Sequence, residues 1–336
     1  MRIKQLMTES RRLTDPYEIV VDLYDKSFPY IKEYLKNFRA APNDGMMYSG
    51  RNGDNAYHIN KIRTGRYPKD TPEHIHGWFD DLFLEIFGTR YRSNAVFVTG
   101  GLSTADRYGD NIYGIFPIGN NYRYIYSPYI SDLYSEMIDS GQYPYMGMDI
   151  QDIAGEMMDD SDSFDGDDIW EESRDMAARE FAVEHNREDY EIEDEDGDMV
   201  FDEDGWADAE QEYVNDNSAS FMERLSMDKA EDISDEMTKT INYEIGRYKE
   251  DDLKGAINSK NEIMLSGGSY AMVRDDYLPF VMRYMEVNKS RKPTPERWDE
   301  AMRNFDPKRY SNLVGVNRMK KTIDRYINKE SKGYLK

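Results

Sequence analysis

A single carboxylate, Glu262, heads the apolar run of NEIMLSGGSYAMV, residues 261–273. Ile263 and Leu265 alternate with Glu262 and Met264, so a period of two sets the carboxylate on the face opposite the two aliphatic side chains. The stretch reads as a hairpin: a strand, the turn SGGS, and a second strand beginning YAMV. Two other stretches carry polar groups at strand ends. MMYSGR finishes in Ser49, Gly50 and Arg51, and AVFVTGGLSTADRYG places Thr99 at the end of a strand, before a short helix capped by Ser103. A carboxylate stabilises positive charge, a hydroxyl holds a polar ligand, and a guanidinium pairs with phosphate through its planar fork. Taken singly, each has an ordinary structural reading: a charge at a strand end, a turn arginine beside NGDN, a strand threonine.

The elements that must position these groups alternate between two periods. Asp15 and Pro16 read as the cap and first residue of a helix carrying Ile19, Val20 and Leu23. Pro29 restarts it with Ile31, Tyr34, Leu35 and Phe38 on one stripe. DTPEHIHGWFDDLFLEIFG predicts a helix capped by Asp70 or Thr71 and stopped by Gly88, with Ile75, Trp78, Phe79, Leu82, Phe83 and Ile86 inward. NAVFVTG, NIYGIFPIG and YRYIYSP follow as strands, then a helix over 129–140. TPERWDEAMRNF predicts a helix with Thr294 as cap and Pro295 first. The pattern is that of an α+β chain with an antiparallel or mixed sheet.

The charge is concentrated. The 336-residue chain carries a net −24, and Glu156 to Asp216 alone holds 27 acidic residues against three arginines, leaving the remainder balanced. From Glu286 to Lys336, 14 Lys and Arg stand against seven acids. Such polarity attracts a basic tail or a cationic partner over about 10 Å at ordinary salt. In EDEDGDMVFDE, a calcium loop framed on Gly197 would need its first ligand at Ile192, so the segment reads as a solvated or partner-binding surface. His58, His74, His76 and His185 have no metal-ligand spacing, and the chain has no cysteine, which excludes disulfides, thiolate metal sites and cysteine nucleophiles. No run approaches 18 apolar residues and the first residues lack an apolar leader; the expectation is a soluble intracellular protein with no membrane partner.

In their order and strand context, MMYSGR, AVFVTGGLSTADRYG and NEIML together resemble ADP-ribosyltransferases, whose dinucleotide pocket joins three strand ends. The first carries Arg or His before Gly, the second a Ser, Thr or Tyr, the third a Glu. The chain is also similar to tailed-bacteriophage proteins in which YRSNAVFVTG, FPIG, SP and DL recur in this order. The resemblance implies that Glu262 is the catalytic carboxylate beside the ribose of NAD, that Thr99 holds the nicotinamide ribose, and that Arg51 pairs with the pyrophosphate. Ser49 stands before Gly50 where the family has Arg or His, so Arg63, Arg66 and Arg92 are further candidates for cofactor binding. Lys260, two residues before Glu262, replaces the acid or amide of arginine-modifying members and disfavours an arginine acceptor.

The resemblance covers about 45–270 and divides the chain into N-terminal helices (1–44), a transferase-like core (45–146 and 217–285), an acidic insertion (147–216) and basic C-terminal helices (286–336). It implies NAD-dependent mono-ADP-ribosyl transfer to a host macromolecule, by a protein of the host cytoplasm or one carried in the virion. The alternative class is a non-enzymatic virion component or acidic inhibitor that engages a host protein or nucleic-acid-binding protein through 156–216, without binding DNA itself.

Overall fold

The computed structural model describes residues 13–38, 45–67, 71–139, 145–159, 166–306 and 309–310. In chain order these form α1 (Pro16–Lys26), α2 (Phe28–Asn37), β1 (Tyr48–Arg51), β2 (Tyr57–Lys61), α3 (Glu73–Phe87), α4 (Tyr91–Asn94), β3 (Ala95–Thr99), α5 (Leu102–Ala105), β4 (Asn111–Pro117), β5 (Arg123–Tyr126) and α6 (Leu133–Asp139). There follow α7 (Ile150–Asp159), α8 (Gly166–Glu184), β6 (Glu191–Glu193), β7 (Met199–Phe201), α9 (Glu203–Gly246), β8 (Lys249–Glu250), α10 (Leu253–Ser259), β9 (Glu262–Ser266), β10 (Ser269–Arg274), α11 (Leu278–Asn288) and α12 (Pro295–Met302). The chain is α+β and divides into two compact units, Met1–Asp139 with Tyr243–Lys336, and Ser140–Asn242.

The first unit is built on an eight-stranded sheet in the order β2-β10-β4-β1-β3-β9-β5-β8, with every neighbouring pair antiparallel. β9 and β10 are therefore not a hairpin, and the expectation for NEIMLSGGSYAMV is corrected. β9 lies between β3 and β5, and β10 between β4 and β2. They stand four places apart in the sheet, which in a flat sheet is about 19 Å. Ser266 to Ser269 reaches only about 10 Å. The sheet must fold over so that this link crosses between its two halves, and Gly267, at φ 141°, makes the turn. The halves part between β1 and β3, which share one residue pair, Tyr48 with Thr99, whereas β3 and β9 pair over five.

Alternation decides which side chains enter the core. Val96 and Val98 of β3, Ile263 and Leu265 of β9, and Tyr124 and Tyr126 of β5 join one apolar cluster with Ile31 and Tyr34 of α2 and Ile257 of α10. Phe97 and Thr99, paired with Met264 and Glu262, take the other face. The N-terminal helices belong to this same core: Asp15 accepts from the Tyr17 and Glu18 amides at 2.9 and 3.4 Å, and α1 buries Ile19, Val20, Leu23 and Tyr24. Thr294 caps α12 by accepting from Arg297 N. Pro72, rather than Thr71, stands at the start of α3, while Asp70 lies outside the described residues; Gly88 ends the helix at φ 69°. The cap of α5 is Gly101, not Ser103, and α6 begins at Leu133, four residues after the expected start, because Ser127 Oγ takes the amides of Tyr129 and Ile130 into a turn.

The second unit reaches beyond 147–216 at both ends. It holds 35 acidic residues against six Lys and Arg, a net of −29, which leaves +5 for the first unit. Among its buried apolar side chains, Ala177, Val214 and Phe221 make one small cluster, and Trp206 packs edge-on to Phe181 and Tyr190 at 4.9 and 5.2 Å. The stretch weighed as a calcium loop is the turn of the β6–β7 hairpin, in which Asp194 Oδ1 accepts the amides of Asp196 and Asp198 at 2.9 Å.

Candidate active site

Glu262 lies at the first position of β9, directly across the ladder from Thr99. Arg92 reaches it from α4, the single turn that leads into β3: Nη1 is 3.4 Å from Glu262 Oε1. Asp80 and His76 hold that turn. Ser93 N donates to Asp80 Oδ1 at 3.1 Å, and His76 Nε2 lies 3.1 Å from Ser93 Oγ. Arg92 is buried, its Nη2 3.5 Å from Thr71 Oγ1 and its Nε without a partner. Its guanidinium stands 5.1 Å from the Phe97 ring centre, and that of Arg66 4.5 Å from the same ring.

Electrostatics tie the group together. Burial pushes the Glu262 carboxyl up to about 7, against the pull of Arg92 and Arg66 and with a push from the Asp132 charge. Arg66 is held below the usual guanidinium range by burial and by the charges of Arg51 and Arg92, and Glu262 and Tyr270 pull the other way. Those influences come from both halves of the folded sheet, since Arg51 is on β1 and Tyr270 on β10 while Glu262 is on β9. The His76 imidazole falls below its usual value because it is buried, and Arg92 and Arg66 lower it further against the pull of Asp80. Tyr248, buried edge-on to Phe83 at 5.2 Å, has its hydroxyl raised by burial and then by the Glu262 charge.

The structure brings some of the expected residues together and sets others apart. Thr99 is beside Glu262, but its hydroxyl is engaged in backbone structure: Oγ1 donates to the Lys260 carbonyl at 2.9 Å and accepts from Gly101 N at 3.0 Å. Ser49 is buried opposite Tyr113. Gly50 lets β1 meet the segment after β3, since a Cβ there would fall 1.9 Å from the Ala105 carbonyl oxygen. Arg51 is exposed at the end of β1, while Arg63 is exposed and makes no hydrogen bond or ion pair with a described residue. The cation on the carboxylate is Arg92.

Phe97, Tyr248, Asp132 and His76 were not among the sequence candidates for this site. Phe97 was legible from its place two residues before Thr99, on the same face of a strand. Tyr248 and Asp132 follow long intervals of sequence and carry no local signal.

A carboxylate poised near neutrality, a buried guanidinium with an unused N–H, two outer arginines and an aromatic ring form a set suited to a ligand that is anionic in one part and cationic in another. Among the described residues, no cluster of three or more His, Asp or Glu is arranged to hold a metal ion, and no helix is long and apolar enough to cross a membrane. Comparisons with models of protein families, with curated proteins and with solved structures found no match to the chain.

Proposed function

We propose that the first unit binds NAD and transfers its ADP-ribosyl group to a macromolecule, in the manner of the ADP-ribosyltransferases. One observation carries the reading. Three short strands far apart in sequence, β1, β3 and β9, are consecutive in the sheet, with Thr99 in register with Glu262 and Arg92 upon it. NAD supplies an ADP-ribosyl group whose bond to nicotinamide breaks with the electron pair leaving on the ring nitrogen. The ionised Glu262 stabilises the positive charge that develops at the ribose carbon, where the acceptor forms its new bond and gives up a proton. Arg92 keeps part of the Glu262 population ionised at neutral pH, and Arg51 and Arg66 suit the pyrophosphate. Thr99, with its hydroxyl committed to backbone groups, fixes the strand end that carries Glu262.

The acidic unit selects a basic target, a host protein or nucleic-acid-binding protein of an infected cell, within the cytoplasm or on delivery from a virion. The test is transfer of label from NAD to proteins of a bacterial lysate, with wild type beside Glu262→Ala. Transfer that the substitution abolishes supports the enzyme; its absence from wild type with every lysate removes it.

The net −29 of the second unit favours a second reading, a non-enzymatic phage component that occupies cationic proteins through this surface. Deleting 156–216 and measuring capture of a basic protein at two salt concentrations tests it. Capture that survives the deletion and ignores salt refutes the surface.

A further inference from the structure

Arg66 is the unusual member of the cluster. The base of its side chain is fixed: Arg66 N donates to Ser93 O at 3.0 Å, and Gly65 N donates to Asn94 Oδ1 at 3.1 Å, with Gly65 at φ 63°. The guanidinium beyond it is not. It makes no ion pair with any described residue and rests on the Phe97 ring at 4.5 Å, partly shielded from water there although the residue as a whole is exposed. Arg92, 5.1 Å from the same ring, is buried and held by Glu262 and Thr71. Of the two guanidinium groups on Phe97, only Arg66 can leave.

A planar cation lying on an aromatic face is held by the quadrupole of the ring and by contact area, and both are equally available to any other flat cation. Glu262 favours a positive charge there and Arg51 and Arg92 oppose it, whichever cation occupies the place. The arrangement is that of an occupant weakly held and easily exchanged.

We propose that Arg66 is an intramolecular competitor for the ligand: its guanidinium covers the part of Phe97 on which a flat cationic ring of the pyridinium class rests, and it must swing away before that ring is seated. The inference deepens the NAD reading and rests on it for the identity of the ring. Selectivity follows from it. A ligand with a pyrophosphate offers the displaced guanidinium a new partner and recovers the cost of moving it, while a bare pyridinium does not.

The probe is 1-methylnicotinamide, the cationic ring without a pyrophosphate, titrated by NMR into the full chain as wild type, Arg66→Ala and Phe97→Leu, with near-ultraviolet circular dichroism confirming that each is folded. Removing the competitor tightens binding by about two- to five-fold, the worth of one exposed cation–aromatic contact, and Phe97→Leu weakens it below wild type. Equal or weaker binding by Arg66→Ala overturns the proposal, as does binding that ignores Phe97→Leu. NAD label transfer, run in parallel on wild type, separates the two readings. Tightened probe binding without transfer upholds the competitor and sinks the transferase; transfer with unchanged probe binding does the reverse.

Discussion

Arg92 Nη1 stands 3.4 Å from Glu262 Oε1, with the side chains 8% and 22% exposed, and each group is the other's main compensation for leaving water. Arg92→Ala removes that compensation where Glu262 is ionised. At pH 8 the substitution costs about 1–3 kcal/mol of unfolding free energy. At pH 5, where Glu262 already carries a proton, the loss is smaller. Chemical denaturation at the two pH values measures the difference; equal losses would show that the pair contributes nothing.

The Glu262 carboxyl, raised to about 7, also gives stability a pH signature. A folded-state value above the ordinary carboxylate value near 4.5 means that the folded chain binds this proton more tightly than the unfolded chain does. The resulting stabilisation is complete below about pH 4.5 and lost as pH rises through about 7. Glu262→Gln cannot titrate. Its melting temperature relative to wild type therefore climbs between pH 4.5 and 7 and is level above, whatever fixed offset Arg92 imposes. A difference that stays constant across that range would refute the raised value.

The helices were legible in the sequence because their signals are local. Asp15–Pro16, Gly88 and Thr294–Pro295 mark ends by the backbone groups they satisfy or cannot supply, and all three mark helix ends in the structure. Strand existence was legible for the same reason, but partnership was not. SGGS between two apolar runs has the chemistry of a hairpin turn, and nothing within those residues shows that β3 and β5 flank β9 instead. The site divides along the same line. Glu262 and Thr99 could be placed on a face by alternation, whereas the choice of Arg92 over Arg51 depends on α4 being held by Asp80, a tertiary contact.

Thr99 and Lys260 test how the strand end is held. Thr99→Val leaves the Lys260 carbonyl and Gly101 amide without their side-chain partner and costs about 1–3 kcal/mol. Thr99→Ser retains the hydroxyl and recovers most of that. Lys260 closes α10 in the left-handed conformation at φ 60°, which a side chain adopts at a cost. Lys260→Gly is therefore expected to stabilise the fold, by about 0.5 kcal/mol or more. A denaturant midpoint that falls in Lys260→Gly would contradict the strain.

Gly50 is required for a close approach, not for its backbone angles. A Cβ there meets the Ala105 carbonyl at 1.9 Å and Gly109 N at 3.0 Å, both backbone atoms that no rotamer change can move. Gly50→Ala is expected to lower stability by about 1–3 kcal/mol as β1 and the segment after β3 are forced apart. Gly77, inside α3 with nothing within 4 Å of an added Cβ, is the control. Gly77→Ala is expected to stabilise by about 0.5–1 kcal/mol on helix propensity alone. Thermal melts of the two variants should move in opposite directions, and a neutral Gly50→Ala would mean that the close packing is not required.

The second unit folds against its own charge. With a net −29, its like charges repel across short distances, and salt that shortens the Debye length to about 3 Å at 1 M removes much of that repulsion. Its melting temperature is expected to rise between 10 mM and 0.5 M NaCl, where the first unit, at +5, changes little. The four tryptophans divide evenly, Trp78 and Trp298 in the first unit and Trp170 and Trp206 in the second. Replacing Trp78 and Trp298 with Phe leaves fluorescence that reports the acidic unit, through Trp206 on Phe181 and Tyr190. The complementary pair, Trp170 and Trp206 to Phe, reports the first. A transition of the acidic unit that falls with added salt would show that its carboxylates are held by specific pairing stronger than their mutual repulsion, and such pairing would leave less of the surface free for a cationic partner.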